Sequence, residues 1–137
     1  MFSPEMDVRQ VGADQWMLLA PLVWNGEDWR IIVPQGFVTD FASIPRPLWA
    51  LWPRSGRWNP AAVVHDYECR ARFRPPREVH DRFRQTLEAL GVEWVTRTLL
   101  YLGVSQFGPS WPMYTLPSGQ TVGPGGLDGQ PTGYVHR

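Results

Sequence analysis

NPAAVVHDYECRARFRPPREVHDRFRQTLEALG, residues Asn59 to Gly91, is the stretch that decides the fold. Asn59 followed by Pro60 opens a helix, because an Asn side chain accepts from the unpartnered N–H groups of a first turn and proline at the first helical position has no N–H to satisfy. The helix so begun runs to about Arg72. Pro75-Pro76 then breaks the chain, and a second helix extends to Leu90 with Val79, Phe83, Leu87 and Leu90 along one face. Gly91 supplies the residue that ends it.

Working outward toward the N-terminus, the pattern changes from helical to alternating. Met6 to Val11 alternates weakly, Trp16 to Trp24 is a long apolar run, Asn25-Gly26 is a hairpin signal, and Trp29 to Val38 returns, so the first 38 residues read as a β-meander. Pro21 and Pro34 cannot donate to a ladder, which makes those strands edges or interrupts them there. Pro47 to Trp52 suits a short helix with proline in its first turn, stopped by Pro53. On the other side, Val92 to about Gln106 forms a further helix with Val95, Leu99 and Leu102 on one stripe beside Trp94 and Tyr101. That apolar breadth predicts burial on more than one side. After Gly108 the chain turns to SWPMYTLPSGQTVGPGGLDGQPTGYVHR, a composition with too little apolar surface to offset its ordering entropy alone. The expected organisation is an α+β domain over residues 1–110, its antiparallel meander packed on three or four helices, followed by an extended Pro/Gly-rich arm over 111–137 that neighbouring chains hold in place.

Composition limits what the chain can do. With 137 residues it can bury a core without staples, and its one cysteine, Cys69, rules out an internal disulfide. The opening residues MFSPEMDV lack a charged region followed by an apolar stretch, and the Trp16 to Trp24 run is broken by Pro21, so neither a signal peptide nor a membrane span is expected. All thirteen basic residues are arginine, a mark of GC-rich coding. Net charge is zero but unevenly spread, −4 over residues 1–40 and +4 over 41–97. Six of the arginines, at positions 70, 72, 74, 77, 82 and 84, crowd around the connection between the two central helices, where Glu68, Glu78 and Asp81 neutralise half of the patch. Without a nucleic-acid-binding motif the balance argues against nucleic acid and for protein partners, since arginine and tryptophan anchor protein interfaces. Arg72, Arg74, Trp111 and Tyr114 are the residues expected to make such contacts.

The polar residues that carry chemistry lie in two islands, Gly36 to Trp49 (GFVTDFASIPRPLW) and Asn59 to Arg70. His65 and Asp66 are adjacent on a helix and therefore point about 100° apart, so neither simply orients the other. His80, on the flank of the Val79-Phe83-Leu87 stripe, is placed to meet His65 in the interior. A metal site could draw on His65, His80 and a carboxylate from Asp66 or Asp40, holding zinc or calcium. A hydrolytic site could pair Ser43 with His65 and Asp40, although Ser43 lacks the G-x-S-x-G elbow. A His-Asp pair on a helix is also the arrangement of phospholipase A2, without the disulfides or calcium loop of that enzyme. Against these stands a purely structural reading. In it Asp40 and Ser43 cap the turn Phe41 to Pro45 with help from Thr39, His65 bonds a carbonyl or Asp40, and Asp66 pairs with Arg70 at i+4. Cys69, one turn after His65, is then a small buried hydrophobe, or else a thiolate partner of the histidine.

These islands, with RFRPPREVHDRFRQTLEALGV and YLGVSQFG, resemble the phage and prophage family called domain of unknown function 1353, which carries a G-F-x-T-D-x-A-S-x-P segment, a P-A-A-x-x-H-D-Y segment and a helix with an acidic residue shortly before a Phe. The resemblance spans roughly Gly36 to Gly108. Two positions depart from it: Cys69 stands where a second aromatic is usual, and the acidic helix position falls on His80 or Asp81. The resemblance implies a phage setting and no mechanism. The function expected from it is a virion structural or accessory protein at the tail or tail tip, made in the host cytoplasm, which binds other phage structural proteins through its C-terminal arm. The alternative is a small metal-dependent hydrolase acting on cell envelope or lipid through His65, Asp66 and His80.

Overall fold

A computed structural model describes residues 6–13, 15–40, 44–51, 59–125 and 134–136. Ser43 and Trp52 lie outside the described residues. Five strands, β1 (Val8–Gly12), β2 (Gln15–Leu18), β3 (Leu22–Asn25), β4 (Trp29–Val33) and β5 (Val38–Thr39), precede a short 3₁₀ helix (Arg46–Leu51) and three α-helices, α1 (Asn59–Ala71), α2 (Pro76–Ala89) and α3 (Trp94–Phe107). Strands β6 (Tyr114–Thr115), β7 (Thr121–Val122) and β8 (Tyr134–His136) follow. The architecture is α+β, antiparallel strands packed on three helices, with an extended C-terminal arm.

The meander is divided between two sheets. The run from Trp16 to Trp24 is interrupted over residues 19–21, ending at Pro21, and its halves part: β2 sits between β1 and β5, while β3 pairs with β4, which pairs in turn with β8. Leu18 is buried in the first sheet, and Leu22 and Trp24 of β3 with Ile31 and Val33 of β4 are buried in the second. The Asn25-Gly26 hairpin forms with Asn25 opposite Arg30. Gly26 is needed there, since a Cβ would stand 2.3 Å from the indole of Trp29.

Helix α1 lies on β4 and β5 and is the centre of the molecule, with Ala61, Ala62, Val63 and Val64 all buried. Small residues at its start let it approach the sheet, and α2 packs beside it through Val79, Phe83 and Leu87. Glu68 on α1 and Arg82 on α2 form a buried ion pair at 2.9 Å, and the guanidinium lies over the Trp29 ring at 4.6 Å. Helix α3 is capped by the Glu93 side chain, which accepts from the Thr96 amide, and it packs on α2 and on the 3₁₀ helix. At Gly103 a Cβ would fall 2.0 Å from Leu48, so this glycine sets the closeness of that last contact.

Two expectations need correcting. The Val95, Leu99 and Leu102 stripe of α3, expected to be buried, is exposed. Leu100, Gly103 and Val104 provide the buried side instead. The first half of the arm, expected to hang free of its own domain, packs against it. Trp111 is buried with Cys69 and Val79, its indole N–H donates to the Arg74 carbonyl at 2.9 Å, and Gly123 and Gly125 approach the end of α1 so closely that a Cβ on either would clash with the carbonyl of Arg72 or Ala71. Glycine in this segment serves close packing as well as flexibility.

Candidate functional site

Three donor side chains from two helices converge between α1 and α2. His65 and Cys69 are one turn apart on α1, so both present the same face, and His80 reaches them from the first half of α2. His65 Nε2 is 2.9 Å from His80 Nδ1 and 3.6 Å from Cys69 Sγ. All three are sealed from solvent, with exposures of 1%, 4% and 4% for His65, Cys69 and His80. Phe83 flanks the His65 ring at a centroid distance of 4.6 Å, and Trp111 packs against Cys69 from the arm.

Protons in this cluster follow from its outermost contact. His80 Nε2 lies 3.1 Å from the Pro109 carbonyl, which can only accept, so the neutral ring carries its proton on Nε2 and turns the lone pair of Nδ1 toward His65. His65 Nε2 must then donate to it. Burial holds both imidazoles neutral: it takes His65 down to about 3, helped by the adjacent His80, and lowers His80 against the opposing effect of the Pro109 carbonyl. Burial also pushes the Cys69 thiol up, reinforced by the charges of Glu68 and Asp66, so the group is a thiol when nothing is bound to it.

Asp66 faces elsewhere. Its Oδ2 accepts from Thr39 Oγ1 at 2.7 Å and stands 3.3 Å from Arg70 Nη2. Arg70 continues to Asp40 at 3.1 Å and to the Val38 carbonyl at 2.7 Å, fastening α1 to β5. Burial raises the Asp66 carboxyl, opposed by the Thr39 hydrogen bond and by Arg70. Of the candidates for a metal set, His65 and His80 meet, neither Asp66 nor Asp40 belongs to their cluster, and the third donor beside them is Cys69. The signal for it in the sequence was its spacing, four residues after His65 on the same helix face. Asp40, the carboxylate of the hydrolytic arrangement, bonds Arg70, and its Ser43 lies outside the described residues. A depression bounded by Gln15, Asp40, Ile44, Arg46 and Trp49 opens on the surface and includes none of the three clustered donors.

Of the residues expected at an interface, Trp111 is buried within its own chain and Tyr114 is exposed on β6. Arg72 has a left-handed backbone, φ 55°, with its guanidinium donating to the Cys69 carbonyl and lying over Trp111, while the Arg74 carbonyl receives the Trp111 indole. These side chains organise the start of the arm.

Thr39 in β5, His65 and Asp66 in α1 and the flanking strands fall within residues 16–104, which match the family model described as protein of unknown function (DUF1353). The chain belongs to that family. Two curated proteins of Sinorhizobium fredii (strain NBRC 101917 / NGR234) are similar to this DUF1353 chain. Uncharacterized protein y4jT is 34% identical over 93 residues, 66% of this chain and 27% of its own. Uncharacterized protein y4iH is 39% identical over 92 residues, covering 64% and 36%. The chain thus spans roughly a third of the length of the curated relatives it matches. No solved structure matches it. Among the described residues no helix is long and apolar enough to cross a membrane.

Proposed function

We propose that this DUF1353 protein is a non-catalytic assembly component of a phage particle, at the tail or its tip, that binds a neighbouring particle protein. The observation that carries this function is the outer face of α3, where Val95, Leu99 and Leu102 form one exposed apolar stripe flanked by Trp94 at 67% and Phe107 at 81% exposure. A face of this kind, with an exposed tryptophan, is the helix half of a helix-in-groove contact. Its dimensions favour a larger partner over a second copy. The 14 residues of α3 give a strip about 21 Å long and about 10 Å wide, a footprint on the order of 200 Å², short of the roughly 800 Å² per partner that a stable pair needs. A larger partner that also covers the surface beside α3 supplies the difference. The phage setting comes with the family resemblance, and the curated relatives, about three times as long as the matched region, have chain of their own beyond it.

A hydrolase built on His65, Asp66 and His80 has less support, because it needs a donor set open to substrate and these histidines are sealed while Asp66 faces Thr39 and Arg70. The test is Val95→Glu with Leu99→Glu, both at exposed positions. The doubly substituted protein is expected to melt within a few degrees of wild type and to be missing from purified particles. Incorporation at the wild-type copy number would overturn the assignment. So would a concentration-dependent dimer of the free protein that these substitutions abolish, because the face would then serve a second copy.

A further inference from the structure

We propose that His65, Cys69 and His80 form a zinc site, bound through His65 Nε2, Cys69 Sγ and His80 Nδ1, which clamps α1 to α2 beneath the arm. The donor atoms all lie within 4.8 Å of one another, and all three side chains are buried. Zinc ligands at the usual bond lengths, about 2.3 Å to sulfur and about 2.0 Å to nitrogen, place a tetrahedral sulfur and nitrogen about 3.5 Å apart and two nitrogens about 3.3 Å apart. The Cys69 to His65 separation is 3.6 Å, already at that value. The 2.9 Å between His65 and His80 is the length of a hydrogen bond, which must open by a few tenths of an ångström when a metal replaces the shared proton.

The surroundings add a second, independent indication. A ligating histidine typically donates its remote N–H to a carbonyl or carboxylate, which fixes the tautomer and aims the other nitrogen at the metal. His80 does this through Nε2 and the Pro109 carbonyl at 3.1 Å, and its lone pair faces the cluster. Imidazole with thiolate is a donor set suited to zinc and unsuited to calcium, which takes oxygen ligands. Among the described residues the donor cluster includes no carboxylate, Asp66 being bonded to Thr39 and facing Arg70 and Glu68 being paired with Arg82, which sets it against calcium.

Binding is balanced in protons. The Cys69 thiol loses its proton to solvent, giving the thiolate, while the proton on His65 Nε2 is transferred to Nδ1 so that Nε2 can ligate. One proton is therefore released per zinc bound. The three side chains fill three corners of a tetrahedron, and the fourth falls to a small non-protein ligand such as water. The site is placed to hold structure together: two donors belong to α1, one to α2, and the carbonyl that orients His80, that of Pro109, lies just before the arm.

Metal analysis of the full chain, purified without a polyhistidine tag, tests this directly. One zinc per chain is expected, with a melting temperature that falls on chelation and returns on adding zinc alone. Cobalt(II) added to the chelated protein should give visible d–d bands of a four-coordinate ion together with a near-ultraviolet thiolate-to-cobalt band. That band reports the sulfur in the wild-type chain and needs no variant. Cys69→Ala removes one donor and little volume; it is expected to keep its circular dichroism and lose the zinc. Absence of any zinc-dependent change in melting, or zinc held equally well by Cys69→Ala, would overturn the site, as would a cobalt complex lacking the thiolate band.

Discussion

Asp66 accepts from Thr39 and faces Arg70 while buried in the protein, and the two contacts make different demands on it. The hydrogen bond needs only an oxygen; the ion pair needs a charge that burial disfavours. Asp66→Asn keeps the oxygen and removes the charge together with its desolvation cost, so stability should change by no more than about 1 kcal/mol. Asp66→Ala leaves Thr39 without its acceptor in a closed space and should cost about 1–3 kcal/mol. Urea unfolding of the two variants side by side distinguishes them, and equal losses would mean that the charge matters most. The same residue illustrates what can be read before a structure exists. Its pairing with Arg70 follows from i, i+4 spacing, and the meeting of His65 with His80 follows from the helical faces they occupy. The part played by Cys69 was harder to foresee, because a lone cysteine on an apolar helix has the same pattern whether it packs or ligates. Only the arrival of a second helix beside it separates the two.

At the scale of elements, the junction of α1 and α2 depends on a charge pair with almost no solvent. Glu68 is fully buried, Arg82 nearly so, and the guanidinium is shared with Glu78 at 3.3 Å and with the face of Trp29. Arg82→Ala strands the Glu68 carboxylate and should cost about 3–5 kcal/mol, whereas the double replacement Glu68→Leu with Arg82→Met, apolar on both sides, should recover at least half of that loss. A thermal-melt cycle over the two single variants and the double measures the coupling. Helix positions were legible throughout because proline and glycine punctuate them: Pro60, Pro75-Pro76 and Gly91 mark ends that the structure reproduces within a residue or two. The sheets were less so. Nothing local in Trp16 to Trp24 says that its halves join different sheets, since the strands that settle it, β5 beside β2 and β4 beside β3, come later in the chain. The exposed stripe of α3 was misread for a related reason. Apolar periodicity gives the existence of a face and not what covers it.

Across the whole molecule, the arm is joined to the domain where composition suggested independence. Trp111 fills a space against Cys69 and Val79, so Trp111→Ala should cost about 3–5 kcal/mol and expose the Arg72 to Arg74 segment to trypsin. Limited proteolysis with mass spectrometry reads both effects in one experiment; an unchanged digest and melting curve would mean that residues 111–125 contribute nothing to the fold. A Pro/Gly-rich stretch was expected to need a neighbour to order it. The neighbour for its first half is the protein's own α1.

The pairing of β4 with β8 joins residues more than a hundred positions apart, Trp29 opposite His136. During synthesis β4 therefore emerges long before the strand that covers its edge, and one row of its backbone donors and acceptors waits in the meantime. Closing so long a loop is slow. In that interval an extended segment from a second nascent copy of the chain can occupy the place of β8. The local concentration of nascent copies thus bears on which strand completes the sheet.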